Sequence, residues 1–395
     1  MRDMPDLCIS PLILRYNRPM LELPEMDLRD IAHARLFNLQ LSQTSLSTPS
    51  RMVAWLGAMQ AQDYAGAKWS LGLRLRPTSD ETIEAALDRG DILRTHMLRP
   101  TWHFVAPEDI RWMQALTAPR VHKINSTMYR QLELDDVTLT RCATVLSRAL
   151  RSGNRMTRNE IKMVLEADDI RVAGGRDRSG QRLAYIVMWA ELEQLLCSGP
   201  RRGKQFTYML LEERAPNARI MLHEEALAEL TRRYFTSHGP ATLHDFARWS
   251  SLTLADVRQG LEAAGSELNH EEVQGQTHWF AGDALSPAEA SPTAYLLSIY
   301  DEYIIGYKDR SAIGEPEYGE RLRAMGNALQ NVIILDGQIV GTFRRTAGKE
   351  ALAIELNLFK PLTPAESAAV AESAKGYGAF FGLPLKIGLR DFGSP

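Results

Sequence analysis

The chain has 395 residues, which is long for a single hydrophobic core and favours two to four domains of ordinary size. Its 45% hydrophobic and 24% charged residues are typical of a soluble globular protein and exclude the disordered and fibrous classes. The net charge of −3 gives no general support for nucleic-acid binding, and no stretch approaches the ~18 consecutive apolar residues of a membrane span.

The cysteines and the N-terminal residues indicate the cellular compartment of the protein. Cys8, Cys142 and Cys197 are odd in number, far apart and without paired ligand spacing, which favours a reducing environment and argues against a zinc site. The run Met1 to Asp6 lacks the basic-then-apolar pattern of a secretory signal. We therefore expect a cytoplasmic protein.

The N-terminal third of the chain predicts an extension followed by helices and a hairpin. Residues 1–26 contain four prolines and no sustained period, which is typical of a loosely packed arm. Apolar residues at helical spacing and Ser or Thr caps then predict three helices. These cover 27–41, 50–60 and 79–89, and a two-stranded hairpin follows over 92–105.

The same order of elements occurs twice more, which indicates an internal repeat. The second copy has helices over 137–151, 156–165 and 181–196, with a basic hairpin from Ser198 to Met209. The third has helices over 221–237, 242–250 and 253–264, with a hairpin joining 267–270 to 277–280. A helix pair with a wing is a recurrent way to present a helix to DNA, although winged helices also serve as protein-interaction modules.

Residues 282–292 predict a linker, because they contain a glycine, prolines and small polar residues. The sequence pattern changes after this segment. Beyond it the chain is rich in strands, with Asp336-Gly337 as a hairpin turn and a late helix over 363–380. The predicted fold class is mostly α with small β wings: three tandem winged-helix domains plus a C-terminal α+β or β-barrel-like domain. The predicted boundaries are 27–134, 135–219, 220–281 and 292–395.

Two glutamines close to the end of the second predicted helix are the first candidates for chemistry. Gln60 and Gln62 are separated by one residue, so their amides share a side if the chain is extended there. An amide does not titrate, but its oxygen can hold a water or stabilise positive charge on a sugar. Such help suffices for glycosidic hydrolysis only when the base is already a good leaving group. The alternative is that both glutamines cap a helix end.

Asp63 follows the pair directly and has two interpretations. Its carboxylate could act as the base or the oxocarbenium stabiliser that the glutamines cannot be. It could equally cap the next turn of the chain.

The first hairpin carries two histidines and two arginines. With Arg99-Pro100 at the turn, Met97 faces Trp102 and His96 faces His103, so both histidines should share a face with Arg94 near by. Histidines, arginines and an aromatic suit phosphate contact or insertion into a groove. A metal site lacks a third ligand here, and hydrogen bonding within the fold is the other alternative. We expect Gln60, Gln62 and the histidines to line one cleft.

A basic stretch covers the second predicted unit, since residues 141–204 carry thirteen Lys and Arg against seven Asp and Glu. A solvated surface can show such an excess, but a phosphate-facing surface explains it better if the chain binds DNA. The predicted DNA contacts from this stretch are Arg155, Arg158, Arg176, Arg178, Arg182, Arg201, Arg202 and Lys204, and those from the first hairpin are Arg94, Arg99 and Trp102.

Four segments together resemble the AlkZ-like winged-helix DNA glycosylases, and the resemblance runs from about Asp27 to the C-terminus. They are the runs Leu56 to Gln62, Arg94 to Asp109, Asp301 to Arg310 and Asp336 to Arg345. The family's two glutamines, separated by one apolar residue, match Gln60 and Gln62, whereas a sister branch has aspartate at the second position. The resemblance implies a concave DNA-binding surface of tandem winged helices, a β-rich C-terminal domain and removal of alkylated bases.

These observations predict a monofunctional DNA glycosylase that acts as a monomer on damaged duplex DNA. Its substrates would be N7-alkylguanine-type nucleotides, including interstrand crosslinks, with Gln60 and Gln62 as catalytic residues and Asp63, His96 and His103 in support. No lysine nucleophile for lyase chemistry is evident. A non-catalytic winged-helix transcriptional regulator is the alternative. We expect a nucleoid-associated protein that needs no cofactor and no metal, and we expect no membrane partner.

Overall fold

The structure is a computed structural model and describes residues 26–172, 180–282, 291–314, 331–348 and 351–389. In these ranges about half of the chain is helical, and several small sheets complete the fold. No described helix is long and apolar enough to cross a membrane. The predicted contacts Arg176 and Arg178, and most of the predicted linker, lie outside the described residues.

The first part of the structure, up to residue 131, contains five helices and a three-stranded sheet. The helices are α1 (Leu28–Asn38), α2 (Pro49–Leu56), α3 (Tyr64–Leu73), α4 (Asp80–Arg89) and α5 (Ile110–Gln131). The strands are β1 (Ala58–Gln60), β2 (Leu93–Met97) and β3 (Thr101–Val105). Strand β3 lies in the middle and pairs antiparallel with both neighbours.

One predicted helix ends earlier than expected. Thr48 accepts a hydrogen bond from the Arg51 amide and Pro49 occupies the first turn, so α2 begins as predicted. It ends at Leu56 because Gly57, with φ +76°, turns the chain out of the helix. The prediction of a helix through residue 60 is therefore wrong, and Gln60 lies on a strand.

The second part has helices and a basic hairpin in the predicted order. It contains α6 (Asp136–Ala149), α7 (Arg158–Ala167), α8 (Gln181–Leu192), the short α9 (Leu211–Arg214), β4 (Met156–Thr157), β5 (Leu196–Arg202) and β6 (Gln205–Leu210). Thr157 and Glu160 form a capping box that starts α7. Buried apolar residues between Leu132 and Leu210 form a core of their own.

The third part repeats this order with α10 (His223–Ser237), α11 (Leu243–Ser250), α12 (Leu254–Ala264), β7 (Asn269–Val273) and β8 (Gln276–Phe280). All three parts share one pairing detail. A short strand or bridge just before a helix pairs with the second strand of the hairpin: β1 with β3, β4 with β6, and Ala241 with Trp279. Thr157, the last residue of β4, and Thr242, which follows Ala241, each cap the next helix.

The C-terminal part is an open sheet with a helix against it. Its strands are β9 (Ala294–Leu297), β10 (Asn331–Leu335), β11 (Gln338–Ala347), β12 (Leu352–Leu358) and β13 (Leu385–Leu389), and its helices are α13 (Glu302–Ile305) and α14 (Pro364–Phe380). The strand order is β13-β12-β11-β10-β9, so within the described residues the sheet does not close and the barrel-like alternative is wrong. Its core is continuous with that of the first and third parts.

Candidate active site

Gln60 is held in a buried position between three parts of the chain. It is the last residue of β1 and lies opposite His103 of β3. Its backbone amide donates to Glu302 Oε1 at 3.0 Å, and its side-chain Oε1 accepts from Arg99 Nη2 at 3.0 Å. A guanidinium can only donate, so the amide oxygen must be the atom that faces Arg99. Only 9% of Gln60 is exposed, and its carbonyl oxygen is already engaged.

Gln62 has different surroundings. It lies two residues beyond the strand and is exposed. Its Oε1 is 3.5 Å from the Trp102 amide, while the preceding Ala61 amide donates to Trp102 O at 2.6 Å. Gln62 lines a cavity together with Arg94 and Trp102. The carbonyl oxygen of Gln62 is therefore open to a substrate, whereas that of Gln60 is engaged.

Asp63 occupies the N-cap position of α3 without a side-chain bond to that helix. Its Oδ1 instead lies 3.5 Å from Arg345 Nη2 of the C-terminal sheet. A Cβ at Gly66 would lie 2.6 Å from Asp63 Oδ2, so glycine leaves room for the carboxylate. Asp63 therefore makes no side-chain cap bond, and its supporting role in catalysis stays a prediction.

The two histidines of the first hairpin lie on opposite faces, so the predicted shared face and single cleft are wrong. His96 pairs with Trp102, and His103 pairs with Thr95. The connection consists of three residues, Leu98 to Pro100, with Leu98 at φ +57°. A two-residue turn was assumed, and a one-residue shift of register moves a side chain to the other face of a sheet.

His103 is a neutral hydrogen-bond acceptor on the Gln60 face. Its Nδ1 donates to Thr101 O at 2.9 Å, which leaves Nε2 as an acceptor 3.4 Å from Arg99 Nη2. Burial, followed by the nearby Arg99 charge, holds the pKa of His103 well below its usual range. At neutral pH His103 therefore helps to orient Arg99 and carries no charge.

His96 supports the fold on the other face. Its Nδ1 is hydrogen-bonded to Glu191, and its ring lies against Trp102 with centroids 4.4 Å apart. Gln114 Nε2 donates to Glu191 O at 2.8 Å and to His96 O at 3.3 Å. His96 thus links the hairpin to α8 and does not face Gln60.

Arg99 joins the hairpin to the third part of the chain. Its Nη1 donates to Trp249 O at 2.6 Å, and its Nη2 reaches both Gln60 and His103. Burial lowers its pKa. The structure therefore assigns the predicted DNA contact Arg99 a position behind the site, where it fixes the Gln60 amide.

Glu302 is a site residue that the sequence interpretation missed. Its carboxylate is 1% exposed and accepts from the Gln60 amide, from Trp249 Nε1 at 2.9 Å and from His238 Nε2 at 3.4 Å. The neighbouring Asp301 is paired with Arg74 by two hydrogen bonds of 2.8 Å. In the sequence Glu302 stands in the run Asp301 to Arg310, one of the four segments that carry the family resemblance, but this run has no chemical meaning by itself.

The second face of the hairpin opens into a cavity of about 380 Å³ between the first and second parts of the structure. The Arg94 guanidinium carbon lies 4.3 Å from the Trp102 ring centroid and 4.5 Å from that of Phe206. Arg158 and Lys204 also line this cavity. Four of the predicted DNA contacts therefore lie together here, adjacent to Gln62.

The other predicted DNA contacts that the structure describes in the second part do not line this cavity. Arg201 and Arg202 pair with Glu84 and Glu160, at 3.2 and 2.6 Å. The backbone oxygen of Arg155 accepts from Arg202 Nη2 at 3.2 Å. Arg182 is 5% exposed and donates to the backbone oxygens of Arg171, Leu132 and Glu133, so its prediction as a surface contact is wrong.

Comparisons with known proteins give one consistent result. The family model "DNA glycosylase AlkZ-like" matches residues 53–380. The chain is 24% identical over 311 residues to an interstrand DNA cross-link repair glycosylase of Streptomyces sahachiroi, covering 74% of this chain and 81% of that protein. The solved structure of Streptomyces sahachiroi DNA glycosylase AlkZ is similar, with a TM-score of 0.75 and 22% identity over 92% of this chain and 100% of that one.

Proposed function

Because the chain belongs to the AlkZ-like DNA glycosylases, enzymes that hydrolyse N-glycosyl bonds in DNA, we propose that its substrates are N7-alkylguanine-type nucleotides in duplex DNA. The observation that carries this proposal is the pair of amides, one buried and fixed, the other open to a cationic cavity. The carboxylate next to Gln62 in the chain, that of Asp63, is paired with Arg345.

The chemistry of such a lesion matches what an amide can supply. Alkylation at N7 makes the base a cation, so the C1′–N9 bond breaks with its electron pair going to a good leaving group. The sugar then carries positive charge, which an amide oxygen stabilises, and a water adds to C1′ and releases its proton to solvent. We assign the oxygen of Gln62 to this role and assign Gln60, held by Arg99 and Glu302, to positioning the strand end.

We propose that the three repeated parts are tandem winged helices with boundaries 27–134, 135–219 and 220–281, followed by a C-terminal domain over 292–395. The support is the shared pairing of a short strand or bridge with the second hairpin strand in each part. We also propose that the protein acts as a monomer at the nucleoid, and that duplex DNA lies across the cavity beside Gln62.

The similar Streptomyces sahachiroi protein is named for interstrand DNA cross-link repair, so we extend the proposal to crosslinked duplexes. A crosslinked base is tethered to the opposite strand and cannot be fully extruded from the helix. An exposed Gln62 at the mouth of an open cavity is compatible with attack on a nucleotide that stays in the duplex.

The test is release of the base from duplexes that contain N7-methylguanine or an N7-linked crosslink. Wild type should release the base, Gln62→Ala should lose most of the rate, and Gln43→Ala is the matched control because Gln43 is an exposed glutamine outside the site. Tight binding of these duplexes by wild type without any base release would refute the proposal and would favour a non-catalytic DNA-binding role.

A further inference from the structure

Arg94 is a buried cation with little to bind. It is 6% exposed, and its Nε donates to Ala61 O at 3.2 Å. Among the described residues, no carboxylate lies within ion-pair distance of its guanidinium, since the nearby Glu191 is engaged by His96. Burial lowers the pKa of Arg94 to about 10, so the group remains charged at neutral pH. A buried charge is costly unless it is paired, so this position favours an anionic ligand.

The aromatic rings around Arg94 do not form a stacking pocket for a base. The guanidinium lies over both Trp102 and Phe206, at 4.3 and 4.5 Å, and so covers one face of each ring. The rings instead fix the plane of the guanidinium and exclude water from it. A guanidinium held in one plane in this way can donate hydrogen bonds to two oxygens of one phosphate group.

The rest of the cavity has the same electrostatic sign. Arg158 and Lys204 line it, together with Thr157 and Asn159 at the start of α7. The first turn of this ten-residue helix adds a partial positive charge. The neighbouring carboxylate of Glu160 is already occupied, because it accepts from the Thr157 amide and from Arg202.

We propose that this cavity binds a single phosphate of the DNA backbone next to the damaged nucleotide, held by Arg94, Lys204 and the start of α7. This inference rests on the proposed function. Because Gln62 lines the same cavity, the bound phosphate belongs to the damaged nucleotide or to its immediate neighbour. Holding it sets the distance between the backbone and the Gln62 amide, so the site positions C1′ for hydrolysis.

The test is a scan of neutral methylphosphonate groups through a duplex that carries a 2′-fluorinated N7-methylguanine nucleotide, whose glycosidic bond resists hydrolysis. Wild-type affinity should fall about tenfold at one position beside the lesion. Arg94→Met and Lys204→Ala should bind the unmodified duplex more weakly and show no further loss at that position. Lys204→Ala should also reduce the slope of log Kd against log salt by about 1.

Matched variants separate recognition from folding. Lys204 is exposed at a hairpin turn, so its replacement leaves the core intact, and Arg94→Lys keeps the charge and should retain part of the position-specific loss. Lys375→Ala, on an exposed part of α14, is the charge control and should behave as wild type. A flat scan in wild type, or variants that keep the full position-specific loss, would overturn the proposal.

Two further measurements identify the ligand and distinguish a failure of the phosphate site from a failure of the proposed function. Inorganic phosphate should compete with the unmodified duplex better than chloride at equal ionic strength, and competition with a flat scan would assign the site to a free anion instead. A protein that shows the position-specific loss but releases no base would contradict the proposed function alone. An active protein with a flat scan would contradict the phosphate site alone.

Discussion

The two glutamines should separate into one that matters for stability and one that matters for rate. Gln60→Ala leaves an Arg99 donor without its acceptor in a buried site, which costs about 1–3 kcal/mol of unfolding free energy. Gln62→Ala removes an exposed side chain whose hydrogen bond from the Trp102 amide is 3.5 Å long, so its effect on stability should stay within about 0.5 kcal/mol. Because this substitution also removes an oxygen that faces the positive charge developing on the sugar, the rate of base release should fall about 10²–10³-fold.

Thermal unfolding and single-turnover release of N7-methylguanine measure these two quantities on the same protein samples. Gln60→Ala should unfold several degrees below wild type and should release the base more slowly. Gln60→Glu should not restore the rate of release. Gln62→Ala should melt with wild type. Equal destabilisation by both substitutions, or full activity of Gln62→Ala, would show that the assignment of the two amides is incorrect.

Three other predictions follow from buried polar groups. His103, whose pKa lies below its unfolded value, stabilises the fold above pH about 6.5 and loses that contribution on acidification, so His103→Asn should show a shallower fall of melting temperature below this pH. Arg74→Met leaves the fully buried Asp301 carboxylate unpaired and should cost about 3–5 kcal/mol in urea denaturation. Glu302→Gln offers one oxygen to two donors, Gln60 N and Trp249 Nε1, and should cost about 1–3 kcal/mol together with a measurable loss of rate.

Elements with their own local signals were predictable from the sequence. Threonine caps start α7, α11, α12 and α14 where expected, and Asp336-Gly337 joins β10 to β11. Helix α3 was missed because all of its last eight residues are buried, so it shows no amphipathic period, and it contains two glycines. Helix α5 was missed because Pro119 interrupts a 22-residue run.

The site was predictable only in part because its contacts are distant in sequence. The glutamines stand out as a local pattern, but Glu302 reaches Gln60 across 242 positions, and nothing local reports that pairing. The prediction for the hairpin was wrong for a different reason. Its strands were correct, but a connection one residue longer than predicted places His96 and His103 on opposite faces.

The proposed reaction has an electrostatic conflict at the cavity beside Gln62. The alkylated base is a cation, so arginines and lysines directed at it would oppose binding, yet DNA binding requires them. Gln62 lines the same cavity as Arg94, Arg158 and Lys204, so in the proposed complex the bound phosphate offsets these charges beside the cationic base. Gln60 and Arg99 lie on the other face of the hairpin, near the Glu302 carboxylate. In the reaction the positive charge moves from the base to the sugar without changing in total. An amide oxygen tolerates both states, whereas a carboxylate at that position would bind the cationic ground state as well and so gain less in rate. This is a physical reason for glutamine at position 62.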